Sequence, residues 1–477
     1  AQCCPPASDR GIGPRMKKLN LLLTIALALA LAGCGQALKS DYQRPMLSIP
    51  DTWRVQDTGE GVAQFSPHWW DNFGDPQLSR LIVSTLQSNN DLALAGIRLR
   101  QARLAAGLSD LNLTPDFATG ATASNTKNLH HNTTSTEGYS HSLSASYELD
   151  LWGKLARTRE QSDWLALASE QDLRATALTL IGTTSQLYWQ IASLNQRIAN
   201  LQQSLDIAKE TLAMVTSRWK SGDLGQLDYL QAQQTVLSRE NNLRDLRQQR
   251  DESRNALVIL LSRPPGQHPA ERAFLDIQQS VPVAQRLPLD VIARRPDVQS
   301  AEMNLRAALA GSDVARLSFY PSLTLNASLN AGAAVFQQWF SNPARTLGSA
   351  LDLPFIQWNK VRLTIEKSDL DVQTAAIQFR RAAYSALQDI DNAMAQRLTY
   401  QQEKQLQLKD LALSQQRLTL VESQYRHGSV AYQTLLDAQN TLLNSENTLV
   451  QSQYNYLYST MKLWLALGGG ENSSMNH

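Results

Sequence analysis

Cysteine is nearly absent from this 477-residue chain; Cys3, Cys4 and Cys34 are the whole set, all near the N-terminus. That excludes a disulfide framework or a cysteine-ligated metal site from the body of the protein. Net charge is equally scarce, +1 from 44 Lys and Arg against 43 Asp and Glu. The clustered basic patches that nucleic-acid binding needs are missing, so no nucleic-acid partner is expected. The apolar run Leu21–Leu31 holds about eleven residues, too few for a spanning helix, which takes roughly 20. The histidines (His68, His130, His131, His141, His268, His427 and His477) show no metal-ligand spacing with acidic or cysteine partners, and His130-His131 reads as a solvated loop pair. No phosphate-binding glycine loop and no nucleophile motif appears. Neither an enzyme nor a cofactor or metal is expected.

What is present begins with a targeting segment. Met16-Lys17-Lys18 is a basic start, Leu21–Leu31 an apolar middle, and Leu31-Ala32-Gly33-Cys34 the end of an export signal. The LAGC tetrad resembles a bacterial lipobox, which implies cleavage before Cys34 and acylation of that residue. Residues 1–15 precede Met16 and are set aside as upstream or appended sequence, with 16–33 as the signal peptide and 34–76 as an N-terminal arm. Removing residues 1–33 takes away Arg10, Arg15, Lys17, Lys18 and Asp9, leaving 40 basic and 42 acidic residues.

The body of the chain repeats itself. Pro115 matches Pro321, Trp152-Gly153-Lys154 matches Trp358-Asn359-Lys360, and Gly222 matches Gly428, each at an offset of 206 positions. Leu99-Arg100 matches Leu305-Arg306 and Ala232-Gln233 matches Ala438-Gln439 at the same offset. One repeat covers about 77–262 and the second 296–467, joined by a Pro-rich connector over 263–295 and followed by a tail, 468–477. Each repeat runs helix, two strands, long helix, tight turn, long helix. Long helices are predicted over about 154–220, 226–262, 359–426 and 430–467; only Gly182 interrupts the first of these stretches. Their apolar residues form narrow stripes, such as Leu435, Leu436, Ala438, Leu442, Leu443 and Leu449, among Gln, Asn and Thr. A stripe this thin suits a coiled-coil seam rather than a broad buried face.

Strands are predicted over about 113–125, 139–152, 319–331 and 346–356. In Ser322-Leu323-Thr324-Leu325-Asn326-Ala327-Ser328-Leu329-Asn330 polar and apolar residues alternate strictly, which puts two unlike faces on one strand. A soluble half-buried hairpin needs a core partner, and every neighbouring segment is a polar-rich helix. Lipid is the simpler partner for strands about ten residues long. Aromatics near the strand ends (Tyr139, Trp152, Phe319, Tyr320, Phe336, Trp339, Phe340, Phe355 and Trp358) read as interface girdles. Four strands cannot close a membrane barrel and open edges are not tolerated in lipid, so the chain is expected to oligomerise. Ser322, Thr324 and Asn326 would then face a water-filled lumen, with Glu148 and Asp150 adding charge.

These residues together resemble the TolC-like outer-membrane efflux proteins, in the lipoprotein branch typified by OprM. The carriers are His68-Trp69-Trp70-Asp71-Asn72-Phe73-Gly74-Asp75-Pro76, Ala293-Arg294-Arg295-Pro296-Asp297-Val298, Glu148–Lys154, Tyr425-Arg426-His427-Gly428 and Leu436-Asp437-Ala438-Gln439. The resemblance implies a mainly α fold with a small transmembrane β-barrel. It implies a homotrimer whose twelve strands close that barrel and whose helices form a periplasmic tunnel. An inner-membrane pump and a periplasmic adaptor (membrane fusion protein) would feed small molecules into it, and outer-membrane lipid would surround the barrel. The tunnel would close at the helix tips. There the resemblance implies that Asp437 lines the narrowest point with Gln433 beside it. Asp228 and Tyr425 match a helix-tying network to which Arg426 could bring a cation; Thr434 stands where the family has a second aspartate, and Val430 where it has an arginine. Gly222, Leu224, Gly428 and Val430 are the candidate adaptor contacts. Two other readings stay open at this point: a type I protein-secretion exit duct, and a periplasmic coiled-coil scaffold held only by lipid.

Replacing Cys34 by Ala is expected to abolish incorporation of labelled palmitate; unchanged labelling would remove Cys34 as the acylation site.

Overall fold

The computed structural model describes residues 38–54, 66–127, 135–283, 288–334, 336–338 and 340–470. Cys34 lies outside the described residues, as do Trp339, most of the loop after Thr126, part of the connector and the tail from 471. Each repeat begins with a pair of helices, α1 (Pro76–Ser88) and α2 (Asn90–Leu111) in the first and α5 (Pro288–Arg294) and α6 (Pro296–Leu317) in the second. Strands β1 (Asp116–Thr126) and β2 (Thr136–Leu149) follow in the first repeat, β3 (Ser322–Ala333) and β4 (Ala344–Asp352) in the second. The long helices are α3 (Lys154–Lys220) and α4 (Gln226–Leu260), then α7 (Trp358–Arg426) and α8 (Tyr432–Ala466).

Several boundaries differ from the expectation for local reasons. A break at Asn89 separates α1 from α2: its side-chain oxygen accepts from Leu92 N (3.0 Å) and its amide donates to Leu260 O (3.0 Å). The connector contains a helix, α5, which the expectation did not include. Helix α8 starts two residues later than expected because Ala431 is extended (φ −71°, ψ 158°). Strand β2 stops at Leu149, because both oxygens of Asp150 accept the first amides of α3, Leu155 N at 3.0 Å and Ala156 N at 2.9 Å. Free N–H groups at a helix start attract a carboxylate.

The four strands form one antiparallel sheet in the order β1-β2-β3-β4, so the hairpins of the two repeats join along β2 and β3. Register carries like onto like: Ser146 lies opposite Asn326, and Leu143 opposite Leu329. The chain divides into two compact units. One holds the sheet with Leu99–Ala168 and Ala301–Phe379, together with the described arm up to Pro45. Within it the arm is tied down by charge: Ser40 N and Oγ donate to Asp313 (3.1 and 2.5 Å), and Asp313 pairs with buried Arg157 at 2.5 Å.

The other unit comprises Met46–Arg98, Ser169–Ser300 and the chain from Arg380 onward. Its core explains the tryptophan-rich motif. A short 3-10 turn, Trp69–Phe73, inserts Trp69 against Trp464 (centroids 5.4 Å apart, 19°) and Phe73 against Trp189 (5.2 Å). Gly74 turns the chain with a left-handed φ of 62°. Asp75 then caps α1, accepting from Gln77 N and Leu78 N, while Tyr188 Oη donates to its second oxygen at 3.0 Å. Burial and the Asp75 carboxylate push the Tyr188 phenol far above its ordinary value. The Arg295-Pro296-Asp297 motif is structural too: Arg295 bridges Asp297 (2.6 Å) and Asp389 (3.1 Å).

Gly182 does not break α3. A Cβ there would meet Leu465 Cδ1 of α8 at 2.5 Å, so the glycine marks close helix approach. Gly182→Ala should be tolerated, because the Leu465 tip can rotate and helix propensity gains roughly 0.5–1 kcal/mol. Gly182→Val should cost about 1–3 kcal/mol by overpacking. Thermal unfolding followed by helical circular dichroism checks the pair; equal midpoints for both variants would count against close packing here.

Candidate functional site

Two regions carry the sequence-predicted site residues: the sheet, and the turns between paired long helices. In the sheet, Ser322, Thr324 and Asn326 share one face. Their cross-strand neighbours are polar or small: Asp352 opposite Ser322, Glu148 and Ala350 opposite Thr324, and Ser146 and Gly348 opposite Asn326. Ser146 Oγ donates to Asn326 Oδ1 at 3.0 Å, and the Thr122 and Ser140 hydroxyls lie 2.6 Å apart. Glu148 keeps its place on this face, but Lys154 Nζ donates to it at 2.6 Å and neutralises it. Asp150 is not a strand residue at all; capping α3 occupies it.

The opposite face answers what the alternating pattern left open. Phe117 is 71% exposed, Leu347 68%, Leu351 63%, Leu143 47% and Leu325 45%. No segment among the described residues covers them. A contiguous apolar face with no protein partner marks a membrane or partner surface, and strands of 9 to 14 residues are long enough to cross. At the sheet base, Trp152 Nε1 donates to Pro321 O at 2.7 Å and its ring lies 5.2 Å from Tyr320. Among the described residues no helix is long and apolar enough to cross a membrane.

The helix tips are two copies of one turn. Gly222 (φ 85°) donates to Trp219 O and Asp223 N to Arg218 O; Gly428 (φ 73°) donates to Tyr425 O and Ser429 N to Gln424 O. Both are Schellman closures, in which a left-handed residue lets two amides satisfy the last carbonyls. A small apolar cluster holds them: Val215, Ala232, Leu418, Val421, Leu435 and Ala438, with Tyr425 and Tyr432. Leu224 and Val430 pack on this cluster half-buried, while Gly222 and Gly428 are exposed.

Asp437 and Gln433 lie exposed on one face of α8, and Gln433 Nε2 donates to Asp437 Oδ1 at 2.7 Å. Thr434, one residue on, is half-buried. Tyr425 is buried, 2% exposed. Its cation is Arg218, from the last turn of α3, with the guanidinium 5.6 Å from the ring centroid; Arg426 is exposed instead. Burial raises the Tyr425 phenol above its ordinary value, Arg218 opposes this, and the half-buried Asp228 adds to it. Sequence reading missed Arg218, although it immediately precedes the repeat partner of Tyr425, Trp219. It also missed Arg239, buried between α4 and α8, whose Nη2 donates to Asn440 Oδ1 at 2.9 Å. A lone arginine inside a polar-rich helix carries no sequence signal of burial.

A two-repeat chain with an amphipathic four-stranded sheet and paired long helices of 35 to 69 residues each is an outer-membrane channel of the TolC-like type. It belongs to the outer membrane efflux protein family, whose profile matches residues 81–263 and 287–469. Both ends of that match, 81 to 287 and 263 to 469, repeat the offset of 206. The chain is 31% identical over 464 residues to the pyoverdine export outer membrane protein OpmQ of Pseudomonas putida, covering 94% of this chain and 97% of that one. It is 28% identical over 461 residues to the cation efflux system protein CusC of Escherichia coli, covering 94% and 99%. The open-state structure of the Neisseria gonorrhoeae MtrE outer membrane channel superposes with a TM-score of 0.78 at 26% identity, covering 91% and 98%. The protein is thus an outer-membrane exit duct of a tripartite efflux system, and the lipid-anchored scaffold reading is set aside.

Leu325→Lys places charge on the uncovered apolar face. At mid-bilayer that costs roughly 2–4 kcal/mol, so outer-membrane levels should fall while Asn326→Lys on the polar face is better tolerated. Equal levels of the two variants would reverse the face assignment.

Proposed function

We propose that three copies of the chain close one twelve-stranded barrel, β4 of each joined to β1 of the next. The observation that carries this is the sheet itself: β1 and β4 are exposed along their whole lengths and are the two open edges. In lipid an unpaired strand edge costs several kcal/mol per orphaned backbone group. Four strands are too few to curl onto themselves; twelve lie within the range of membrane barrels. The polar face, with Ser322, Thr324 and Asn326, lines the water-filled lumen, and the paired long helices continue it as a periplasmic tunnel.

The tips form the aperture. Three Asp437 carboxylates around the axis, each steadied by its own Gln433, repel one another and favour cations in a narrow pore. Asp228, Tyr425 and Arg218 hold the tip closed between helices, with Thr434 and Arg426 at its rim. Gly222 and Gly428 meet the periplasmic adaptor, with Leu224 and Val430 giving their turns a firm base. An inner-membrane pump supplies the energy, and this chain conducts small molecules passively, without catalysis. Relatives named for pyoverdine and for cations carry chemically unlike cargo, which fits selection at the pump rather than in the duct. Acylated Cys34 anchors each copy to the outer membrane.

Planar-bilayer conductance of the purified protein tests the reading. The wild type should show a small, cation-preferring conductance, and Asp437→Ala should raise it or weaken its selectivity. A conductance indifferent to the substitution would move the constriction elsewhere; no conductance from either protein would overturn the duct with its gate at Asp437.

A further inference from the structure

Arg345 is the only Lys or Arg in the four strands, and it stands on the apolar face. It is the second residue of β4, exposed, opposite Leu329 and two positions before Leu347. It makes no ion pair among the described residues. The carboxylates of the strands are turned elsewhere. Asp116, Glu148 and Asp352 belong to the polar face, and Glu137, near the loop end of β2, accepts from Tyr139 Oη at 3.1 Å.

A bare guanidinium on a lipid-facing strand carries a cost that grows with depth and almost vanishes at the interface, so its depth decides what it meets. The repeat fixes that depth. The offset of 206 positions puts Arg345 where the first repeat has Tyr139. From Tyr139 to Leu149, the last residue of β2, about ten steps of strand span about 34 Å. At a tilt of roughly 35–45° this is about 25 Å of depth, the height of the apolar band of a membrane barrel. Trp152 and Tyr320 close the band at the end next to the helices. Tyr139 and Arg345 therefore stand at the opposite end, on the outer surface of the outer membrane, where headgroups replace acyl chains.

The surroundings suit a phosphate. Beyond Leu329, strand β3 carries only Ala331 and Ala333 on this face, opposite His141 and Tyr139 of β2. The short alanines leave a shallow floor, with an imidazole and a phenol on one side and the guanidinium on the other. A guanidinium offers parallel N–H donors in a planar fork that matches two oxygens of a phosphate. Pairing the backbone edge of β4 does not cover this floor, because side chains stand on the faces of a sheet. We propose that Arg345 holds the phosphate of an outer-leaflet lipid here, with Tyr139 and His141 against the same headgroup. The ligand is a phosphorylated, multiply acylated glycolipid of the lipid A type, its chains lying along Leu329, Leu347 and Leu325. The inference rests on the reading of the apolar face as the lipid face.

Native mass spectra of the detergent-purified oligomer test the site, with diphosphoryl lipid A, lipid A stripped of its phosphates, and phosphatidylglycerol as probes. The wild type should retain diphosphoryl lipid A about fivefold better than either of the others, the margin that one arginine at a headgroup supplies. Arg345→Tyr, which installs the residue of the first repeat, should lose that preference. Arg345→Lys should keep part of it, since the charge remains without the fork. A full preference in Arg345→Tyr, or none for phosphate in the wild type, would overturn the site. Equal retention of phosphatidylglycerol by the wild type would overturn the assignment to lipid A. Should Arg345→Tyr fail to reach the membrane, Arg345→Gln is read in its place with the same expectation. A nitroxide attached to Leu347→Cys in reconstituted bilayers separates this site from the reading beneath it. Relaxation by oxygen rather than by an aqueous nickel chelate puts that face in lipid, and an unaltered lipid preference in the Arg345 variants then condemns the site alone. Relaxation by the nickel chelate would overturn both.

Discussion

The structure depends on one constraint, that backbone amides and carbonyls inside a membrane have no water to bond. A helix satisfies them within itself, but no described helix of this chain is apolar enough to take that route. The chain instead sends four strands across. Three strand pairings are made internally, and the outer edges of β1 and β4 are left. Those two edges are what the proposed ring of copies would pair.

The long helices solve a different problem. A wall with solvent on both sides has no thick core, so it is held by narrow apolar stripes and many small polar contacts. Ser414 and Ser445 hydroxyls lie 2.9 Å apart, and Arg239 reaches Asn440. Each such bond contributes only about 1 kcal/mol net. Two of the apolar clusters lie where the chain must be firm. One surrounds the tryptophan turn at Trp69–Phe73, and another sits under the two Schellman turns. A firm tip resting on weakly bonded helices suits a part that must shift as a unit without unfolding.

Charge is placed with the same economy. Two carboxylates at the base of the sheet are occupied, Glu148 by Lys154 and Asp150 by the start of α3. Among the buried arginines, Arg157 is paired with Asp313, while Arg239 donates to the neutral Asn440 amide. At the tip, the side chain beside the Asp437 carboxylate among the described residues is the neutral Gln433 amide. A carboxylate with a neutral neighbour keeps its field.

The sequence by itself determined the element order, the repeat and the two faces of the strands, because all three are periodicities that side chains impose whatever the tertiary context. Ser322, Thr324 and Asn326 could be assigned to one face from alternation alone, and Asp437 and Gln433 to one helical face from their spacing. Tertiary structure alone decided matters that turn on which atoms meet. It made Asp150 a helix cap instead of a lumen charge, and gave Tyr425 the cation Arg218 rather than Arg426. It placed Gly182 against Leu465. Periodicity is local and survives in one dimension. Partnership depends on distance between residues far apart in sequence, and only the folded chain sets that distance.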